Sequence, residues 1–140
     1  MAVHEVALGL DFLNTTLSND ASLTSLAPGG VFRAYAPPST LAPYIIIALQ
    51  SGTDIITMNA FRLFSNALYQ VKVIGPSSET DTLVQAASEI DSLLGLTSGT
   101  VTNGHILYCY RESPLQVDEL VNGVQWSNIG GTYRLAIQQG

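Results

Sequence analysis

Three pairs of neighbouring carboxylates, Glu79/Asp81, Glu89/Asp91 and Asp118/Glu119, have a spacing that suits general acid–base chemistry. Their sequence context points elsewhere. Glu79 and Asp81 fall in the opening turn of a predicted helix, where the helix dipole favours negative charge. Glu89 and Asp91 fall on the solvated side of the same helix. Asp118 and Glu119 precede a hairpin turn, and strand alternation sends them to opposite faces. The two histidines, His4 and His105, are far apart and have no cysteine cluster nearby, so no metal-ligand spacing exists. His105 begins a strand beside Gly104 and reads as a surface or edge residue. The lone cysteine, Cys109, lies between two tyrosines in an apolar run, the setting of a buried thiol. Tyr108 and Tyr110 share one strand face and suit core packing or an interface.

Nucleophile and phosphate motifs are missing from the chain. It has no Gly-x-Ser-x-Gly elbow and no Gly-x-x-x-x-Gly-Lys loop. Gly95, Gly99 and Gly104 lack dinucleotide spacing and follow a helix rather than a strand. The expectation is a protein with no catalytic, cofactor-binding or metal-binding residues: a structural subunit, not an enzyme.

Charge supplies the positive clue. Only 11% of the 140 residues are charged, against about 25% in soluble domains generally. The formal charge is −6, Lys72 is the single lysine, and the four arginines (Arg33, Arg62, Arg111, Arg134) are dispersed. Grasping a nucleic-acid backbone takes clustered basic residues, which this sequence lacks. A free monomer ordinarily coats itself with mixed charge. A surface so poor in charge is expected to dock onto copies of itself or onto partners. No apolar run approaches the ~18 residues needed to cross a bilayer, and the N-terminus lacks the basic start of a secretory signal. A cytosolic site of synthesis is expected, with no membrane association. Asn14-Thr15-Thr16 matches a glycosylation triplet by chance, inside a predicted helix.

The elements that must position these residues form one domain over residues 1–140. Val6, Leu10, Leu13 and Leu17 recur at helical spacing and predict a helix from Glu5 to Leu17. Residues 19–42 read as a long connection rich in Ser, Thr, Ala, Pro and Gly, with Phe32 and Tyr35 as apolar anchors. Pro43–Leu49 predicts a central strand buried on both faces. Ser51-Gly52-Thr53 reads as a turn, Asp54–Met58 as a short return strand, and Asn59–Asn66 as either loop or strand. Ala67–Ile74 alternates as a strand. Ser78 is placed as the N-cap of a second helix with Leu83, Ala87, Ile90 and Leu94 on its apolar face, ending at Gly95. His105–Glu112 predicts a strand bent at Ser113-Pro114. Asn122-Gly123 predicts a tight hairpin turn, and Gly130-Gly131 a bulge or bend in the returning strand. The fold class is α+β: a mostly antiparallel β-sheet with two α-helices on one face and a C-terminal β-hairpin.

A short helix, a Pro/Gly-bearing loop, Pro43-Tyr44-Ile45-Ile46, the strand Leu68-Tyr69-Gln70-Val71-Lys72-Val73, a helix from Ser78 to Leu94 and a hairpin ending Thr132-Tyr133-Arg134-Leu135 follow one another. This order resembles the tail-terminator, or tail-completion, family of long-tailed bacteriophages, which includes head-to-tail joining proteins. The resemblance spans nearly the whole chain except Ser51–Asn66, which is longer and more apolar than the family pattern. It implies a virion protein assembled in the bacterial host cytoplasm. Such a protein forms a homo-oligomeric ring, a hexamer, that caps the tail tube, ends tube polymerisation and presents a surface to the neck and head-completion proteins. DNA passes through the ring without being read, and there are no catalytic residues to carry over.

Within that expectation Phe32, Tyr35 and Trp126 are the candidate subunit-interface residues, and Asp54, Asp118 and Glu119 the candidate acidic residues of the ring lumen. A negative lining repels phosphates and eases DNA passage. The rival expectations are another neck or tail component, such as a head-closure or tube subunit, an adaptor of a tail-like secretion machine, and a small ligand-binding α+β domain.

Overall fold

The structure is a computed structural model that describes residues 4–56 and 62–139. Among the described residues, three helices cover one face of a six-stranded sheet. The helices are α1 (Glu5–Ser18), α2 (Ala21–Leu26) and α3 (Thr80–Leu94). The strands are β1 (Val31–Arg33), β2 (Tyr44–Ile56), β3 (Arg62–Pro76), β4 (Leu96–Val101), β5 (Gly104–Val121) and β6 (Val124–Gln139). Their order across the sheet is β1-β2-β3-β6-β5-β4. All neighbours are antiparallel except β1 and β2, which run parallel. The α+β architecture and the closing hairpin are as expected from sequence.

Alternation along the strands builds the core. Ile45 and Ile47 of β2, Tyr69, Val71 and Val73 of β3, Ile106 and Cys109 of β5, and Tyr133, Leu135 and Ile137 of β6 point under the helices. The helices answer with Leu8, Phe12, Leu13 and Leu17 from α1, Leu23 from α2, and Leu83, Ala86, Ile90 and Leu94 from α3. The α1 stripe is rotated from the predicted one. Val6 and Leu10 lie at its margin, because Leu8, Gly9 and Phe12 meet the sheet. On α3, Ala86 takes the buried place expected of Ala87.

Several local expectations are corrected. The 19–42 connection contains α2, capped by Asp20 whose carboxylate accepts the Leu23 N–H at 2.9 Å, and the short edge strand β1. Ser51-Gly52-Thr53 is no turn. It pairs with Leu68-Ala67-Asn66 as a continuation of β2, and a bulge between Leu49 and Ser51 absorbs the irregularity. Asp54 likewise continues β2; residues 57–61 of the two adjoining expectations lie outside the described residues. Ser78 does not cap a helix. Ser77–Glu79 form a 3-10 turn and α3 begins at Thr80, whose hydroxyl donates to the Ser77 carbonyl. Leu96–Val101 adds an edge strand whose Gly, Ser and Thr content masked it. Gly130-Gly131 continues the ladder unbroken; the irregularities fall on the partner strand β5, at Ile106/Tyr108 and Arg111/Ser113. Gly130 is required because a β-carbon there would lie 2.7 Å from the Lys72 Cα and collide with the Val71 carbonyl.

Candidate functional site

The face of the sheet away from the helices carries Phe32, Trp126, Glu119, Tyr108 and Tyr110. Phe32 of β1 sits beside Ile46 and meets the Tyr44 ring edge-on, with centroids 6.4 Å apart and planes at 79°. Trp126 of β6 lies between Pro76 and Glu119, at the same end of the same face. Burial, with the Glu119 charge as a second cause, holds the Tyr44 phenol above its ordinary range. Phe32 and Trp126 are both half-buried. Tyr35 belongs to a different setting: it follows Ala34, whose φ is +66°, and is 78% exposed beyond β1.

At the other end of this face a polar network links three strands. Arg134 of β6 donates from Nη1 to the Asn66 side-chain oxygen at 2.6 Å and from Nε to Glu112 Oε1 at 2.8 Å. Asn66 of β3 in turn donates to the Tyr108 hydroxyl at 2.8 Å. The Tyr108 and Tyr110 rings lie 5.6 Å apart, on one face as alternation requires. Hydrogen bonding from Arg134 holds the Glu112 carboxyl below the usual carboxylate range and raises the guanidinium in return. Sequence reasoning missed this network, because the β3–β6 and β6–β5 registers that assemble it join residues up to 68 positions apart.

The three acidic residues expected to share a lumen are not together within one chain. Asp54 accepts the Ser65 hydroxyl at 2.6 Å, near the β2–β3 tip. Asp118 accepts the Ser127 hydroxyl at 2.8 Å, and Glu119 accepts the Asn128 amide at 3.2 Å, both on the β5–β6 arm. Ser65 and the Gly75 that pairs with Ser127 are ten residues apart along β3, which is roughly 33 Å. Asp118 and Glu119 do point to opposite faces, pairing with Ser127 and Trp126 respectively.

One carboxylate of α3 also has structural partners. Asp91 accepts the Tyr133 hydroxyl at 3.3 Å and faces Arg111 Nε at 3.5 Å, so it turns toward the sheet rather than into solvent. Val84, Ala87, Asp91, Arg111, Leu115 and Ile129 line an open depression of about 640 Å³ beside it. Among the described residues no cluster of three His, Cys, Asp or Glu side chains has metal-binding geometry. No helix among them is long and apolar enough to cross a membrane. His105 is exposed opposite Gln138, and Cys109 is fully buried with Sγ donating to the Leu94 carbonyl at 3.4 Å.

Helices cover one face of this sheet, and its two long hairpins turn at opposite ends. This architecture is shared with a virion chain. A chain in the structure of the virion of a native gene transfer agent particle superposes with a TM-score of 0.72 at 16% identity, covering 96% of this chain and 97% of that one. No protein-family model and no curated protein matches the sequence.

Proposed function

We propose that this chain is a structural virion subunit of a phage-like particle, and within that class a tail terminator. It forms a ring, hexameric in the family it resembles, that seats on the tail tube, ends tube growth and receives the neck or head-completion proteins on its other side. The observation that carries the reading is the end-to-end likeness of fold to a chain of a gene transfer agent virion, with almost nothing left over on either chain. Two features support it. Only 11% of residues are charged, and three of the four arginines are engaged with carboxylates of other elements. The two long hairpins, β2–β3 and β5–β6, extend toward opposite ends of the sheet, as suits a subunit that meets a different neighbour above and below.

In this reading Phe32 and Trp126 share the face that meets a neighbouring subunit, and Tyr35 extends that contact. Asp54 lies toward one end of the lumen and Asp118 and Glu119, on opposite faces of β5, toward the other, and DNA passes without sequence-specific contact. Negative-stain electron microscopy of the purified protein, alone and with tube protein, tests the function. Single rings, and tubes closed at one end by a ring, are expected. Long polymers of the chain itself would make it a tube subunit, and a monomer that binds a small ligand would overturn the virion reading. Alanine at Phe32, Tyr35 and Trp126 together is expected to abolish ring formation. In particles whose rings assemble, neutralising Asp54, Asp118 and Glu119 is expected to alter DNA ejection.

A further inference from the structure

Among the described residues the two margins of the sheet are both incomplete, and they are incomplete in opposite places. On one margin β1 covers β2 only along Ile45–Ile47. Among the described residues, Ala48–Thr53 has no strand on its outer side. On the other margin β4 covers β5 only along Gly104–Tyr110. Glu112–Val121 has β6 on its inner side and no described strand on its outer side. The row Ala48–Gln70–Thr132–Ser113 separates the two open edges. The β2 edge extends from it toward the β2–β3 arm, and the β5 edge toward the Asn122-Gly123 turn.

We infer that successive copies of this chain join by strand addition, the open edge of β5 in one copy pairing with the open edge of β2 in the next. This rests on the ring reading above and adds an edge-to-edge joint to the face contact of Phe32 and Trp126. Three antiparallel steps separate β2 from β5, so copies set side by side in one orientation present β5 and β2 to each other antiparallel. An open edge offers a row of N–H and C=O groups, and its natural occupant is another strand.

The chemistry of the edges selects the pairing. The β5 edge carries Glu112, Asp118 and Glu119 and no basic residue, so two β5 edges repel. Ala48-Leu49-Gln50-Ser51-Gly52-Thr53 carries no charge and no proline. Of the devices with which solitary proteins blunt an edge it has the bulge between Leu49 and Ser51 and neither lysine nor proline. Leu49 beside one edge and Val117, Leu120 and Val121 on the other are solvent-exposed in the single chain, and cross-strand pairing would cover them. A joint between two different edges is heterologous and repeats around an axis. Because the edges lie on opposite sides of the dividing row, each copy is displaced along the strands as well as across them. Such steps close into a ring when the strands run oblique to its axis, as they do in a closed barrel.

Two edge-blocking variants test this. The Ile47 carbonyl faces outward, accepting the Ala34 N–H at 2.8 Å, so alternation turns the Leu49 N–H outward too. Pro114 has no N–H to give β6, so its nitrogen belongs on the outer side, and alternation places the Gln116 N–H there as well. Leu49→Pro and Gln116→Pro therefore each remove an outward donor while sparing the ladder within the chain. Gly52→Lys and Val117→Lys, which block the same edges without proline, serve should either proline variant fail to fold by circular dichroism. Solution mass is read for each variant alone and for the mixture. The expected result is two monomers that combine, when mixed, into a 1:1 dimer through the one intact edge of each. A variant that still assembles like the parent chain, or a mixture that stays monomeric, overturns the edge pairing and leaves the ring reading standing. A parent chain that is monomeric at every concentration and forms no ring on tube ends overturns both.

Discussion

Gly9 of α1 lies directly over the Tyr69 ring of β3, and the Tyr69 hydroxyl donates to the Val6 carbonyl one helical turn back at 3.0 Å. A β-carbon at position 9 would collide with that hydroxyl and stand 2.7 Å from Tyr69 Cζ and 2.8 Å from Ile137 Cδ1. Tyr69 is fully buried, and burial pushes its phenol far above the ordinary range, so it remains a neutral donor. Overpacking a core costs about 1–3 kcal/mol, whereas Gly to Ala within a helix regains about 1 kcal/mol. Gly9→Ala is therefore expected to destabilise the fold by about 1 kcal/mol net. In a Tyr69→Phe background the penalty of Gly9→Ala should shrink, because the nearest colliding atom is gone. Urea unfolding of the four proteins of this cycle reads the coupling; additive effects would refute the contact as its cause.

The Arg134 network predicts a pH dependence. The Arg134 hydrogen bond lowers the Glu112 carboxyl in the folded state, so the folded protein binds fewer protons there than the unfolded chain. The stabilisation is complete above the unfolded carboxyl value of about 4.3 and fades as pH falls toward the lowered folded value. Melting temperature measured from pH 7 downward should fall through this window in the parent chain and less steeply in Glu112→Gln. Arg134→Lys should weaken the three-strand link and lower the melting temperature, since an ammonium lacks the fork that serves Glu112 and Asn66 together.

Cys109 is expected to be inert in the native protein. Burial pushes its thiol up to about 12, and the thiolate is the reactive form. Iodoacetamide at pH 8 should leave the folded chain unmodified and label it rapidly in urea. The unfolded thiol ionises near 8.5, so between that value and about 12 the folded state holds the extra proton. The contribution is full below pH ~8.5 and is lost as pH rises toward the folded value. Cys109→Ala should flatten the alkaline loss of stability.

Two glycines of the closing hairpin should respond to alanine for different reasons. Gly123 has φ +80°, and a β-carbon added there would meet nothing within 4 Å, so Gly123→Ala meets backbone strain alone. That strain is about 1–2 kcal/mol. Gly130 sits against the backbone of β3 at Val71 and Lys72, where neither neighbour can turn aside. Gly130→Ala should cost about 3 kcal/mol or more, and thermal unfolding should rank the two accordingly.

Local physics made part of this protein legible from its residues in order. The helical stripe of α3 from Leu83 to Leu94, the alternation of Tyr69, Val71 and Val73, and the Asn122-Gly123 turn, where both residues have positive φ, depend only on near neighbours. So did the shared face of Tyr108 and Tyr110 and the opposed directions of Asp118 and Glu119. Register belongs to the tertiary structure. The meeting of Arg134 with Asn66, the continuation of β2 through Ser51-Gly52-Thr53, the separation of Asp54 from Asp118 and Glu119, and the placing of Phe32 and Trp126 on one face all depend on which strand lies beside which. Hydrogen bonds between strands carry no trace in the sequence of either one, and their pairing is chosen only when the whole core closes.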